Sequence, residues 1–170
     1  MDDSTIQAMT SHKNDNWATP SWFVRKLEKE LHIKFTLDPC TTQEKAKASR
    51  FFTIQDDGLN QDWSGNNVFV NPPYSKNREW VKKCYEESLK SNTLVVLLIP
   101  ARTDTRYFHD ICMKGDLIYF IKGRIKFENP AIEDDKNNSP VFPSMVVVFD
   151  SEHFYNSSGY PVIRTMENKI

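Results

Sequence analysis

An α/β domain on a largely parallel sheet is the fold class this sequence predicts, and three observations carry it. Short β-branched or aromatic runs alternate with stretches of helical periodicity, the pattern of strands joined by helical crossovers. The runs at 93–99 and 145–149 are almost wholly apolar, as strands covered on both faces are. Finally, extended runs stop at Asp38-Pro39, at Asn71-Pro72-Pro73 and at Pro100, which gathers loops at the sheet edge where α/β folds bind ligands.

Taken in order, residues 1–15 are polar and aperiodic and read as an arm ahead of one domain over 16–155, with a tail over 156–170. Thr19-Pro20 opens a helix, threonine as N-cap and proline at the first helical position. Phe23, Leu27 and Leu31 recur at helical spacing as its buried stripe. Residues 33–37 alternate into a short strand that delivers Asp38 to its carboxyl end. A short polar helix over 43–49 and a second short strand over 50–54 lead to the turn Gln55-Asp56-Asp57-Gly58. The strand at 67–70 precedes a helix capped by Ser75 or Asn77, with Trp80, Val81, Cys84, Tyr85, Ser88 and Leu89 on one face. Residues 93–99 form the central parallel strand. Asp104 caps a helix that buries Tyr107, Phe108, Ile111 and Cys112. A strand at 117–121, a turn at Gly123 and an extended piece over 124–127 follow, then an acidic, Asn-rich loop or flap over 130–140. The last strand, 145–149, is free to enter antiparallel.

Composition excludes several classes. A chain of 170 residues with 39% hydrophobic content holds one sizeable core. No apolar run approaches the ~20 residues of a membrane helix, and the polar start lacks the core of a signal peptide. Cys40, Cys84 and Cys112 lie far apart, so they read as reduced thiols of a cytoplasmic protein, with neither disulfide frame nor metal site. A net charge of −1 gives no global pull towards nucleic acid, which leaves local patches such as Lys76, Arg78, Lys82 and Lys83, or Lys122, Arg124 and Lys126.

The proline turn carries the chemistry. Two prolines have no N–H to extend a ladder, and Pro73 keeps Pro72 out of the helical region. The Asn71 amide, the Pro72 carbonyl and the Tyr74 ring are therefore fixed on a stiff turn at a strand end. A planar exocyclic amine could donate to the Asn71 side-chain oxygen and to the Pro72 carbonyl while Tyr74 stacks on its ring. Around this turn, Asp38 ends the first strand, where it could accept from an ammonium group or a ribose hydroxyl. Asp56 and Asp57 end the second, the place of ribose-binding carboxylates in nucleotide-binding folds. Thr19 lies at a helix N-terminus, which favours a carboxylate or phosphate. Trp17 and Trp63 flank these loops and could contact a purine.

The ordered set Trp17-Ala18-Thr19-Pro20, Leu37-Asp38-Pro39-Cys40, Asp57-Gly58-Leu59 with Trp63, Val68-Phe69-Val70-Asn71-Pro72-Pro73-Tyr74-Ser75, the stretch from Leu98 to Thr105 and Gly123-Arg124-Ile125-Lys126-Phe127 resembles the small phage-type, Dam-like DNA N6-adenine methyltransferases. The resemblance implies a Rossmann-like, mostly parallel seven-stranded sheet with helices on both faces, S-adenosyl-L-methionine as cofactor and double-stranded DNA as partner. It implies cofactor contacts from Trp17, Thr19, Pro20, Asp38, Pro39, Asp56, Asp57 and Asn71. Asn71, Pro72, Pro73 and Tyr74 would form the catalytic motif. Tyr74, Ser75, Arg102, Arg124, Lys126 and Phe127 are the substrate-side candidates. A phage-encoded member would work in the host cytoplasm.

Two other readings stay open at this stage. One is a methyltransferase for a protein glutamine amide or an RNA guanine amine, which shares the proline motif; the other is a non-catalytic nucleic-acid-binding module. The glycine-rich first loop common among methyltransferases is absent from Pro39-Cys40-Thr41-Thr42. With no room for a large target-recognition domain, sequence specificity falls to loops at 75–79, 102–106 and 128–142 or to a second subunit, as in a homodimer.

Overall fold

A computed structural model of the chain describes residues 18–128, 142–156 and 158–169. Trp17, the arm over 1–15 and the loop over 130–140 lie outside the described residues. Seven strands form one sheet in the order β2-β1-β3-β4-β6-β5-β7: β1 Leu37–Asp38, β2 Arg50–Phe51, β3 Asn67–Val70, β4 Leu94–Pro100, β5 Leu117–Lys122, β6 Ser144–Asp150 and β7 Val162–Glu167. β1 pairs in parallel with β2 and β3, β3 with β4, and β5 with β7; only β6 runs antiparallel, between β4 and β5. This is the mostly parallel Rossmann-like sheet that the resemblance implied.

Alternation along the strands divides the core in two. Val96, Leu98, Val146, Val148, Leu117, Tyr119 and Phe69 point to one face, where Phe23, Val24, Leu27 and Leu31 of α1 (Ser21–Leu31) cover them. Val95, Leu97, Ile99, Val147, Val68 and Val70 point to the other, under Trp80, Val81 and Cys84 of α2 (Asn77–Ser88) and Phe108 of α3 (Arg106–Asp110). Helices thus cover both faces of the sheet. The alternation places Asn71, two residues past Phe69, on the α1 side of the sheet.

The structure corrects several local expectations. Pro20 occupies the N-cap position of α1 and no side chain caps the helix; the Thr19 hydroxyl accepts from the Asn71 amide instead. Residues 43–49 are turns, not helix, because the Lys47 N–H goes to the Asp38 carboxylate at 3.0 Å. The strands expected at 33–37 and 50–54 shrink to two residues each. Neither Ser75 nor Asn77 caps α2, which continues from a 3-10 turn over Tyr74–Lys76. Leu89 is 64% exposed, since α2 ends one residue before it. Asp104 does not cap α3, whose N-cap is Thr105, and Tyr107 and Ile111 are only half-buried. Where a tail over 156–170 was expected, β7 joins the sheet edge and pairs with β5 along its whole length.

Candidate active site

β1 and β3 are neighbours in the sheet, so the loops after Asp38 and after Val70 open at the same edge. Between them lies a cavity of about 630 Å³, within the range of roughly 300–1,000 Å³ typical of small-molecule sites. Thr19, Asp38, Pro39, Asp57, Asn71, Pro73 and Ser75 all line it. Three loops and the start of α1 converge there.

Asp38 is only 4% exposed. Removal from water raises its carboxyl to about 6, outweighing the backbone N–H groups of Lys47 and Cys40 that favour the anion. Such a group gains from a cation brought into the cavity. Asn71 is gripped from two directions: its Nδ2 donates to Thr19 Oγ1 at 3.0 Å, and its backbone carbonyl accepts from the Cys40 thiol at 3.4 Å. Burial pushes that thiol well above its usual range, so it stays a donor.

The loop after β2 closes the cavity through a glycine. A Cβ on Gly58 would lie 1.9 Å from the Pro39 carbonyl oxygen, so only glycine lets the second loop rest on the first. Gly58 is in turn held by Trp63, whose Nε1 donates to its carbonyl at 3.0 Å. Trp63 is fully buried and stacks on Trp80, 6.1 Å between centroids. Its N–H goes to the buried Glu87 carboxylate, which also takes Lys83 and Lys90. Trp63 is therefore a buttress with no surface for a purine, and Trp80 is the indole that reaches the cavity wall. Leu59 and Ile54 add apolar surface beside it.

Other expected residues fall elsewhere. The Asp56 carboxylate accepts from the Thr53 N–H and hydroxyl at 2.8 and 2.7 Å; it closes a local turn and does not line the cavity. Pro20 and the buried Pro72 stand behind the wall. Phe127 is 2% exposed within the core under α1, which removes it from the substrate side. Arg124 and Lys126 are exposed on the flanking extended segment, outside the cavity.

Tyr74, between the lining residues Pro73 and Ser75, does not itself line the cavity; its ring lies edge-on to Phe142 at 6.5 Å, and the Arg102 guanidinium lies 4.7 Å over the same phenyl ring. Burial holds the Tyr74 phenol above its usual range, so it offers a neutral aromatic face. Phe142, Gly58, Trp80 and Cys40 were not among the residues expected at the site. The Gly58 signal was visible as a turn glycine, and Trp80 read only as part of the core stripe of α2.

A family model described as DNA N-6-adenine-methyltransferase (Dam) matches residues 7–168. The chain belongs to this family. Among individual Dam-family proteins, the DNA N-6-adenine-methyltransferase of Haemophilus phage HP1 (strain HP1c1) is 34% identical over 161 residues, covering 91% of each chain. That of Escherichia phage T1 is 32% identical over 109 residues, 64% of this chain and 45% of the phage T1 protein. Among the described residues of this Dam-family chain, no helix is long and apolar enough to cross a membrane, and no cluster of His, Cys, Asp or Glu could hold a metal ion.

Proposed function

We propose that this protein transfers a methyl group from S-adenosyl-L-methionine to the N6 amino group of adenine in double-stranded DNA. The observation that carries the reading is the shared cavity: Asn71, clamped at the end of β3, opens onto the same space as the buried Asp38 carboxylate. The residues present suit the cofactor. Asp38 would accept from its ammonium group, Asp57 from the ribose hydroxyls, and Ile54, Leu59 and Trp80 would cover the adenine ring. When bound, S-adenosylmethionine supplies an electrophilic methyl carbon on a sulfonium centre.

The remaining work falls to the acceptor side. A target base must leave the duplex stack to enter a cavity of this kind. Tyr74 would stack on it, a contact worth roughly 1–3 kcal/mol. The Asn71 side-chain oxygen would accept one amino hydrogen, and the Pro72 carbonyl, which does not line the cavity of the free protein, would accept the other once the base is bound. That pairing directs the nitrogen lone pair out of the ring plane and stabilises the positive charge that grows on nitrogen. As the N6–carbon bond formed, the carbon–sulfur bond would break with its electron pair left on sulfur as a neutral thioether, and N6 would give up one proton to solvent. Arg102 and the exposed Lys76 would meet phosphates at the rim.

The test offers duplex DNA, RNA and protein in parallel with methyl-labelled cofactor, followed by nucleoside and amino-acid analysis. Label recovered as N6-methyladenine in DNA supports the reading. Label confined to a guanine amine in RNA or to a glutamine side chain replaces it with the alternative acceptors, and cofactor binding without transfer to any acceptor returns the non-catalytic module.

A further inference from the structure

An asparagine side chain has two ends of nearly the same shape and opposite hydrogen-bonding sense. An acceptor for an amine must present the oxygen. The NH2 end, turned to the same place, would set donor against donor. The terminal torsion of asparagine is broad and roughly two-fold, so the choice has to be imposed by neighbours.

Thr19 engages one end, and in this structure that end is the NH2 group. Its Oγ1 accepts from Asn71 Nδ2 at 3.0 Å across 52 positions of sequence, and the residue is only 2% exposed. Its backbone is anchored on both sides. Ala18 exchanges two main-chain hydrogen bonds with Glu128, at 3.0 and 2.9 Å, and Pro20 leads into α1, whose Phe23 and Leu27 are fully buried. The Cys40 thiol holds the Asn71 carbonyl from the β1 side. The main chain of Asn71 is therefore held from the loop after β1 and its amide from the segment that leads into α1.

We propose that Thr19 is a positioning residue: by accepting from Asn71 Nδ2, its hydroxyl fixes the amide so that Oδ1 faces the acceptor amine. The inference rests on the reading of Asn71 as the amine acceptor. It differs from a cofactor-carboxylate contact, the role first expected of Thr19, in what it predicts for rate and affinity.

Thr19→Val keeps the shape and deletes the hydroxyl; Thr19→Ser keeps the hydroxyl. The Val variant should lower the single-turnover methyl-transfer rate about 10-fold, the weight of one hydrogen bond, and the Ser variant should restore most of it. Cofactor affinity by calorimetry should stay within about 3-fold of wild type in both, because no cofactor contact is lost. In nitrogen-15 spectra of the free protein, the Asn71 side-chain NH2 pair, assigned by its loss in Asn71→Ala, should shift in the Val variant and return in the Ser variant. A Val variant that transfers at the wild-type rate but binds cofactor weakly overturns the proposal and gives Thr19 to the cofactor. An unmoved NH2 pair overturns it as well. A wild-type protein that leaves adenine unmethylated in DNA overturns this inference together with the reading beneath it, whereas normal wild-type methylation with a silent Val variant overturns this inference alone.

Discussion

Buried carboxylates stand at both ends of the sheet, and they are treated differently. At the amino end of β4 and β5, Asp116 accepts from the Asp150 N–H at 2.8 Å and meets His153 Nδ1 at 2.8 Å. Asp150 accepts from the backbone N–H groups of Glu152 and Phe154 at 3.1 and 2.9 Å. Each oxygen there has a partner, and the cluster ties β6 to the turn that follows it. At the carboxyl end of β1, Asp38 is equally buried, but its hydrogen bonds do not offset its removal from water. A compensated carboxylate builds structure; an uncompensated one beside a cavity is ready for a ligand.

The largest effect expected along this contrast is on the reaction itself. Asn71→Ala removes the amide oxygen without touching Asp38, so single-turnover transfer should fall on the order of 10²–10³-fold, while cofactor affinity by calorimetry stays close to wild type. An equal loss in both would show that Asn71 serves the cofactor.

Next come matched substitutions at the two ends. Asp150→Asn must set its NH2 group against a backbone N–H, so chemical denaturation should show a loss of about 1–3 kcal/mol, with transfer per folded molecule unchanged. Asp38→Asn also sheds the burial cost of a charge, so the free protein should lose less stability than with Asp150→Asn, while cofactor binding should weaken about 10-fold or more through loss of a charge-assisted bond. Reversed outcomes would erase the distinction between the two ends.

The pH dependence follows from the same carboxyl. Its folded value, about 6, lies above that of the unfolded chain, so between the two the folded state holds the extra proton. Stability of the free protein from this group is therefore highest below the unfolded value and declines as pH rises through about 6, by roughly 3 kcal/mol in all. Asp38→Asn should remove that slope from urea titrations collected between acid and neutral pH. Cofactor affinity should move oppositely, strengthening as pH rises through about 6 and the anion forms. The smallest effect is that of Tyr74→Ala, which should weaken DNA binding by roughly 1–3 kcal/mol and leave cofactor affinity alone; unchanged DNA binding would refute its stacking role.

Those residues were legible to different degrees for physical reasons. The turn at 71–74 was readable because proline dictates its own backbone and asparagine advertises its chemistry. The central strands declared themselves through continuous apolar runs. β7 did not, because as an edge strand it buries Met166 while Ile163, Arg164 and Thr165 face solvent. The turns over 43–49 were misread because what decides them is a non-local bond to Asp38. The glycine missing from the first loop is supplied by the second: Gly58 makes the close backbone approach to Pro39 that the local sequence did not offer. Phe142 was expected only as the last residue of the loop 128–142, because only the antiparallel course of β6 carries it to Tyr74.

That single reversed strand has an architectural consequence. A parallel strand hands its following loop to the ligand edge; β6 hands over its preceding one, with Pro143 held by the Ala101 N–H at 2.8 Å. The stretch between Glu128 and Phe142 is thus tethered at both ends beside the site, to Ala18 at one end and under Arg102 at the other. Lengthening, shortening or exchanging that stretch leaves every strand register untouched, and loop length costs little. The reversed strand thus brings the chain before it, and not the chain after it, to the edge where the proposed transfer takes place.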